Sequence, residues 1–267
     1  MKKIDYYEIC KQKLKYLNYS ENTNRVYLFY VSEFLNYTIN ICPSRLTSTD
    51  FQEYLDNYEF SSISHQNQVI SSIKFLYNFG LEKKYDKVFF KRPRIDRKLP
   101  QIIDCEYLKS KLDKIENLKH KSIISLSFST GMRVSEVLNL KIQDVDSKRM
   151  IIHIHNGKGK KDRIVPLSDN ILKLLRDYWK SFKPKEYLFS GQKKPKYSKT
   201  SCSKIVKKYL GQDYHFHTLR HSCFTALIES GVDIRIIQKI AGHTSIKTTE
   251  IYTHVSTKLL SKVNLPI

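Results

Sequence analysis

The sequence predicts two domains: an N-terminal all-α bundle, and a C-terminal mixed α+β domain that is mainly helical and carries a small antiparallel sheet. Three observations predict this class. Apolar residues recur at helical spacing through residues 1–90, and a basic segment with two prolines follows at 91–100. From residue 101 onward, helical patterns surround one β-rich pair of segments. We therefore predict domains at 1–90 and 101–267, joined by a linker at 91–100.

Four amphipathic helices account for the N-terminal domain. Ser20 precedes the second helical run, and TSTD at 47–50 precedes the third, as N-terminal helix signals. The fourth run is SHQNQVISSIKFLYNFGLE. In the second run, one helical stripe is expected to face the core, formed by Val26, Phe29, Tyr30, Phe34 and Tyr37.

The linker KRPRIDRKLP holds five basic residues, one acid and two prolines. Proline prevents a regular helix, and the charge keeps the segment in water or on a polyanion. A solvated spacer and a strap around DNA share these features, and the basic character of the remaining chain favours the strap. The candidate DNA contacts are its basic residues Lys91, Arg92, Arg94, Arg97 and Lys98.

The C-terminal domain opens with helical patterns over roughly 104–116, 118–129 and 133–140. The segment KRMIIHIHNGKGKKDRIVPLS predicts a β-hairpin, and Ser168 is expected to cap the helix that follows it. A stretch at 193–208 has seven lysines and no acid, and three helical runs close the chain. Further candidate DNA-binding lysines are Lys160, Lys161, Lys199 and Lys204.

The net charge is +21, from 47 Lys and Arg against 26 Asp and Glu. An excess of this size predicts a polyanionic partner, and nucleic acid is the commonest one. The alternatives are a lysine-rich surface kept for solubility and an AT-rich genome that favours lysine codons. Five scattered cysteines without a C-x-x-C pair argue against a disulfide framework and a thiolate zinc site. Without a signal peptide or an 18-residue apolar run, we expect a cytoplasmic protein with no membrane span.

Four places offer residues for chemistry. In STGMRVSEVLNL, a glycine permits a tight bend before Arg133, at a helix start where N–H groups can meet an anion. In HNGKGKKDR, Lys158 lies between two glycines at the hairpin tip. The alternative for Arg133 is an ordinary surface arginine, and the alternative for the segment with Lys158 is a plain mobile hairpin. G-x-G-x-x-G and P-loop patterns are absent, so no nucleotide site is expected.

The third place is HFHTLRH, where His217, Arg220 and His221 share one helix face. A zinc site on H-x-x-x-H is the rival, but no glutamate motif, cysteine or acidic ligand lies nearby in sequence. The fourth is AGHTSIKTTEIYTH, where His243 follows Gly242 at a predicted helix end and Tyr252 lies on the next predicted helix. Each of these residues, taken alone, is explained by a purely structural role.

Taken together, the order Arg, Lys, His-x-x-Arg, Gly-His, Tyr resembles the tyrosine recombinase (phage integrase) family, and particularly its compact Xer-like or integron-integrase-like members. The matching segments are TGMRVSEVLNL, GKGKKDRIVPL, HTLRHSCFTALIESG and IQKIAGHTSIKTTEIYTHV. The resemblance covers essentially the whole chain. It implies that the N-terminal bundle is a SAM-like core-binding domain and that 101–267 is the catalytic domain. One departure is Ala241, where many relatives carry leucine before Gly-His.

The resemblance also implies roles. Arg133 and Arg220 would grip the phosphate, because forked guanidiniums suit its non-bridging oxygens. His217 would act as general base or hold the phosphate, and His243 would donate to the same oxygens. Lys158 would be the general acid, and Tyr252 the nucleophile that forms a 3′-phosphotyrosine. Glu136 would orient a neighbour, and neither metal nor cofactor is expected.

The implied activity is site-specific DNA recombination on double-stranded DNA, through a Holliday junction formed by four protomers. Leu259, Leu260 and Val263 near the C-terminus have helical spacing, and they could dock on a neighbouring subunit or close their own domain. Two other functions remain open. One is a type IB topoisomerase-like enzyme that relaxes DNA, and the other is a catalytically silent DNA-binding accessory protein.

Overall fold

The computed structural model describes residues 5–82, 92–94, 99–155, 162–192 and 194–253. The chain divides into two compact units, Met1–Arg97 and Lys98–Ile267. The first is all-helical in its described part, and the second is mainly helical with a three-stranded antiparallel sheet. The predicted fold class is therefore confirmed.

The N-terminal unit contains four α-helices: α1 (Tyr6–Tyr16), α2 (Glu21–Tyr37), α3 (Ser48–Asp56) and α4 (Ile63–Phe75). A 3₁₀ turn at Pro43–Arg45 precedes α3, and a π-helical turn at Leu76–Gly80 extends α4. The predicted caps are present. The Ser20 hydroxyl accepts a hydrogen bond from the Thr23 N–H, and Thr47 and Asp50 form a capping box.

The predicted stripe of α2 is partly wrong. Phe34 is buried, but Phe29 and Tyr37 are 55% and 47% exposed, and Val31 takes a core position instead. The face that meets α4 is therefore rotated from the one that the aromatic residues mark. Aromatic rings are large enough to stay partly covered while they lie at the edge of the buried face.

The helices of the C-terminal unit are α5 (Cys105–Asp113), α6 (Leu118–Thr130), α7 (Val134–Asn139), α8 (Asp169–Phe182), α9 (Lys199–Leu210), α10 (Phe216–Glu229), α11 (Ile234–Ala241) and α12 (Lys247–Glu250). Its main core packs α6, α8, α9 and α10 with one face of the sheet. Ser168 caps α8 by accepting a hydrogen bond from the Ile171 N–H, as the sequence predicts. The last helix ends earlier than predicted, so Tyr252 lies in the turn that follows it.

The sheet consists of β1 (Val145–Asp146), β2 (Ile151–Ile154) and β3 (Arg163–Pro166) in the order β1-β2-β3. The predicted hairpin is confirmed by the pairing of β2 with β3, in which Ile152 faces Val165 and Ile154 faces Arg163. The sequence did not reveal β1, because two residues are too few to show a period of two. The loop residues 156–161 lie outside the described part of the chain.

Candidate active site

A glycine turn between α6 and α7 positions Arg133. Gly131 ends α6 in the left-handed conformation with φ of 61°, and a Cβ there would lie 2.5 Å from the Phe224 ring of α10. Any other residue would therefore meet both backbone strain and a ring clash. The chain turns sharply at this point and presents Arg133 as the N-cap residue of α7.

Glu136 links two arginines from different elements. Its carboxylate accepts hydrogen bonds from the Arg133 N–H at 2.7 Å and Nη1 at 2.8 Å, and from Nη1 and Nη2 of Arg163 at 2.8 Å each. Burial raises the carboxyl pKa, but these hydrogen bonds outweigh burial and lower it to about 2. Glu136 is therefore ionised at neutral pH and fixes Arg133.

Arg163, the first residue of β3, also donates from Nε to the Ile240 carbonyl at the end of α11, at 2.8 Å. The next turn approaches closely, because a Cβ on Gly242 would lie 3.0 Å from Cδ of Arg163. One buried guanidinium thus connects the hairpin, the start of α7 and the turn that carries His243.

Arg220 is 1% exposed in the middle of α10. Nη1 donates to the Gly131 carbonyl and Nη2 to the Ala241 carbonyl, each at 2.6 Å, and its guanidinium lies 4.8 Å from the centre of the Phe224 ring. Burial and the Arg133 charge lower its pKa to about 10, so it stays cationic. Within the described residues, no carboxylate forms a salt bridge with it. The positive charge of Arg220 is therefore available to pair with a bound anion.

His243 and Tyr252 pack beside Arg220. Nε2 of His243 lies 3.1 Å from Nη2 of Arg220, and its Nδ1 lies 3.0 Å from the Thr249 hydroxyl. The Tyr252 ring stacks on the imidazole at 6.5 Å and 13°, and tilts against Phe224 at 5.4 Å. Burial and the charges of Arg220 and Arg133 lower the His243 pKa to about 4. The imidazole is therefore neutral at pH 7.

The phenol of Tyr252 is buried, with 3% of the residue exposed. Burial raises its pKa, and the positive charges of Arg220 and Arg133 act in the opposite direction. Its oxygen lies 3.2 Å from Nδ1 of His221. The His221 ring in turn meets that of His217 edge-to-face at 4.6 Å, and burial and the charges of Arg220 and Arg133 lower the His217 pKa.

The structure brings together six of the residues to which the sequence assigned a role: Arg133, Glu136, His217, Arg220, His243 and Tyr252. Lys158, Lys160, Lys161, Lys91, Arg97 and Lys98 lie outside the described residues. Lys199 and Lys204 are exposed on α9, and Arg94 is also exposed. Arg92 folds back onto α4, where Nη2 donates to the Ser71 hydroxyl at 2.9 Å.

A cavity of about 630 Å³ lies beside the start of β3, at the edge of this cluster. It is lined by Asp162 and Arg163 from the hairpin, Arg235 and Lys239 from α11, and by His243. The basic side chains of this lining outnumber its one carboxylate, so the cavity favours an anion.

Sequence reasoning gave no catalytic or positioning role to two residues of the cluster, Arg163 and His221. Arg163 is the first residue of β3, and the only feature of the sequence that pointed to a role for it was the position of this strand directly after the Lys-rich loop. His221 lies four residues after His217, but we considered that spacing for zinc and not for contact with a phenol. In the described part of the chain, no group of three or more His, Cys, Asp or Glu side chains is arranged to hold a metal ion.

Comparison with known proteins places the chain in a family. Residues 101–258 match the phage integrase family, and residues 6–87 match the phage integrase N-terminal SAM-like domain. The first match alone covers more than half of the chain. Among the described residues, no helix is both long and apolar enough to span a bilayer.

Relatives align over most of their own length. The chain is 37% identical to tyrosine recombinase XerA of Pyrococcus horikoshii over 249 residues, which is 90% of this chain and 86% of the relative. It is 32% identical to tyrosine recombinase XerD of Staphylococcus epidermidis over 215 residues, 73% of this chain and 72% of the relative.

Solved structures share the fold. The crystal structure of XerA recombinase matches with a TM-score of 0.56 and 28% identity, over 96% of this chain and 95% of that one. XerH bound to palindromic difH substrate in a post-cleavage complex matches with a TM-score of 0.72, over 97% of this chain and 83% of that one. At 22% identity, the XerH comparison shows the fold alone.

Proposed function

This chain belongs to the phage integrase family of tyrosine recombinases, and from that premise we propose that Tyr252 is its nucleophile and that Arg133 and Arg220 bind the scissile phosphate. The protein is a tyrosine-type site-specific recombinase that acts on double-stranded DNA. What remains to be proposed is which side chain performs each part of the reaction.

One observation carries the proposal: Arg220 is a buried cation that contacts two carbonyls, an imidazole and an aromatic ring, and the phenol of Tyr252 packs beside it. Leaving a charge in a poorly solvated site is costly unless an anion completes it. A phosphodiester is the anion that its forked donors fit, and a tyrosine hydroxyl is the group that could attack it.

The remaining groups complete the site. Arg133, held by Glu136, supplies a second guanidinium, and the lowered pKa values of His217 and His243 leave both imidazoles neutral at pH 7. His217 is proposed to donate its N–H to a non-bridging oxygen. Nε2 of His243 accepts from Arg220 in the free protein, so His243 is proposed to donate to the phosphate once the phosphate engages Arg220 and the imidazole proton moves to Nε2. Preorganised donors of this kind stabilise the charge that develops in a pentavalent phosphorus transition state. Lys158, carried on the hairpin loop, is proposed as the general acid because family resemblance assigns this lysine.

The reaction is a transesterification. The Tyr252 hydroxyl gives its proton to a general base while its oxygen forms a bond to phosphorus, the bond from phosphorus to the 5′-oxygen breaks, and the leaving oxygen takes a proton from Lys158. The product is a 3′-phosphotyrosine and a free 5′-hydroxyl. A 5′-hydroxyl of another strand reverses these steps and restores the phenol. One phosphate ester replaces another at each step, so no nucleotide is consumed.

Strand exchange between two sites needs more than one active site. We propose that four protomers assemble on two DNA duplexes and exchange strands in pairs through a Holliday junction. Leu259, Leu260 and Val263, which lie outside the described residues, are proposed to dock on a neighbouring protomer. Basic residues of the linker and of α9 are proposed to bind the DNA backbone: Lys91, Arg92, Arg94, Arg97, Lys98, Lys199 and Lys204, together with Lys160 and Lys161 of the hairpin loop.

The two other functions considered from the sequence are not favoured. The relatives that align over most of the chain are recombinases, whereas a type IB topoisomerase would relax plasmid DNA that lacks a specific site. A silent DNA-binding protein would not need a buried arginine packed against a phenol. A relaxation assay on plasmid without the cleavage site distinguishes a recombinase from the topoisomerase-like enzyme, which would relax this plasmid. Formation of covalent adducts distinguishes a recombinase from the silent DNA-binding protein, which would form none.

The test of the nucleophile is Tyr252→Phe, assayed by covalent protein–DNA adducts on denaturing gels. The substrate is a nicked duplex whose cleavage site is first selected by covalent capture from a random-sequence library with wild-type protein. The variant should bind this duplex and form no adduct. Tyr209→Phe is the matched control, because Tyr209 also pairs with a histidine, His120, but lies outside the cluster. Adducts from the Tyr252 variant would refute the assignment.

A further inference from the structure

We propose that His221, and not His217, is the group that takes the proton from Tyr252 during DNA cleavage and returns it during strand rejoining. This inference rests on the proposed function, since it presumes that the phenol is the nucleophile. It adds a catalytic residue outside the set that the motif order assigns, because His221 immediately follows the arginine of His-x-x-Arg.

The contact that carries the inference joins His221 Nδ1 to the phenol oxygen of Tyr252, at 3.2 Å, which is within reach for proton transfer. The two rings are tilted, with centroids 5.6 Å apart. His217 lies one helical turn earlier, and its ring contacts the ring of His221 at 4.6 Å. Of the two histidines, the structure gives a hydrogen bond to the phenol for His221 alone, among the described residues.

The charge state of His221 suits a proton acceptor. Burial, followed by the neighbouring His217 and Arg220, lowers its pKa to about 4, so the ring is neutral at pH 7. With its proton on Nε2, the ring presents the Nδ1 lone pair to the phenol. The phenol can then donate its only hydrogen along the observed contact.

The same surroundings explain why the proton would move only when DNA is bound. In the free protein, the positive charge of Arg220 disfavours an imidazolium at His221. A phosphodiester held by Arg220 and Arg133 adds negative charge and removes this penalty. The proton then passes to Nδ1 while the bond between the phenol oxygen and phosphorus forms. Tyr252 is thus kept protonated and unreactive until the phosphate arrives.

The proton count closes over a full cycle. In cleavage, the phenol proton goes to His221 Nδ1, and the departing 5′-oxygen takes a proton from the general acid. In rejoining, a 5′-hydroxyl attacks phosphorus and returns its proton to that acid, while the departing phenol oxygen recovers the proton from His221. No metal, oxidant or other co-reactant enters either step.

The decisive variant is His221→Asn, because the amide can keep a hydrogen bond to the phenol but cannot take up a proton. On the selected nicked duplex at saturating DNA and pH 7, adduct formation should slow about 100-fold. The rate of adduct formation by this variant should also rise roughly tenfold per pH unit between pH 7 and 9. Without a base, attack depends on the fraction of phenol that is ionised, and this fraction rises tenfold per pH unit below the phenol pKa. The wild-type rate should change far less over this range.

His120→Asn is the matched control. His120 Nδ1 lies 3.1 Å from the Tyr209 hydroxyl, and burial lowers its pKa as it does for His221, but the pair lies outside the active-site cluster. The variant loses a histidine that is likewise half-buried and paired with a tyrosine, and it should cleave at the wild-type rate with the wild-type pH profile. A slow step caused by disturbed packing alone would have no reason to follow hydroxide concentration.

A sulfur in place of the 5′-bridging oxygen separates the base from the acid. The thiolate leaves without a proton, so this substrate should restore cleavage by Lys158→Ala. It should leave His221→Asn slow, because attack still requires loss of the phenol proton. Restoration of the His221 variant on the sulfur substrate would assign His221 to the leaving group and overturn the inference.

A wild-type measurement covers the case in which the asparagine variant does not fold. Ring ¹⁵N NMR of the free protein at pH 7 should show His221 as the neutral tautomer protonated on Nε2. A proton on Nδ1 would overturn the inference, as would a folded His221→Asn protein that cleaves within about threefold of wild type. Either result would leave the role of Tyr252 intact, whereas adducts from Tyr252→Phe would refute the proposed function itself.

Discussion

The two units of the chain differ in the kinds of side chain that they bury. In the described part of the N-terminal unit, the core is aliphatic and aromatic, and its buried polar residues are Thr38 and Ser72. The C-terminal unit buries an arginine and two carboxylates: Arg220, Glu136 and Asp144. Taking an ion out of water costs several kcal/mol unless partners compensate. The C-terminal unit therefore accepts a cost in stability that the described part of the N-terminal unit avoids.

The N-terminal core shows what packing achieves without such a constraint. Phe34 lies at its centre, with ring contacts to Phe51 at 5.9 Å and Tyr54 at 5.2 Å in edge-to-face geometry. Pairs of this kind add about 0.5–1.5 kcal/mol beyond area burial. In the C-terminal unit, Phe224 has a different set of neighbours, a guanidinium, an imidazole and a phenol. There, an aromatic ring positions charged and reactive groups.

The largest stability effect is expected when the buried carboxylate is removed. Glu136→Ala leaves Arg163 and Arg133 without their shared partner, and breaking a buried ion pair costs about 3–5 kcal/mol. Trp179, the single tryptophan of the sequence, lies on α8 and reports denaturant unfolding of the C-terminal unit by fluorescence. Glu186→Ala, which removes an exposed partner of Lys141, is the control and should give an unchanged curve. Wild-type stability of Glu136→Ala would show that these arginines need no buried anion.

A second substitution tests whether the buried arginine serves catalysis. Arg220→Lys keeps the charge but loses the fork that donates to the carbonyls of Gly131 and Ala241 and is proposed to meet the phosphate. Adduct formation at saturating DNA should fall about 10²–10³-fold, as when one preorganised donor to a developing oxyanion is lost. Arg45→Lys, an exposed change in the N-terminal unit, should leave the rate unchanged. An active lysine variant would reduce Arg220 to a structural residue.

The smallest effect is a pH dependence confined to the C-terminal unit. In the folded protein, burial lowers the pKa of His221 and His243 to about 4, while an unfolded histidine titrates near pH 6.5. Below pH 6.5 the unfolded state therefore binds protons that the folded state does not. The contribution of these two histidines to the free energy of unfolding is complete above pH 6.5 and is lost as pH falls towards 4. Glu136, with a folded pKa of about 2, adds its own loss only below the ordinary carboxyl range.

The Trp179 transition should thus move to lower denaturant between pH 7 and pH 5. The double variant His221→Asn and His243→Asn should show a smaller shift, because asparagine does not titrate. An equal shift in wild type and double variant would assign the pH dependence to other groups.

The sequence by itself determined the fold class, the hairpin, most helix starts and the ordered set of basic residues ending in a tyrosine. These features are local, because periodicity, caps such as Ser20 and Ser168, and motif spacing all act over a few residues. Even so, the aromatic residues of α2 marked the wrong face. Which side of a helix is buried depends on its neighbours as well as on its own pattern.

Only the tertiary structure decided which atoms meet. Arg163 reaches Glu136 across 27 residues, and His221 reaches Tyr252 across 31. No local signal encodes such contacts, because a side chain's partner across the core is set by how α7, α10 and the hairpin pack together. The sequence thus identified which residues can do chemistry, and packing determined which histidine lies against the phenol.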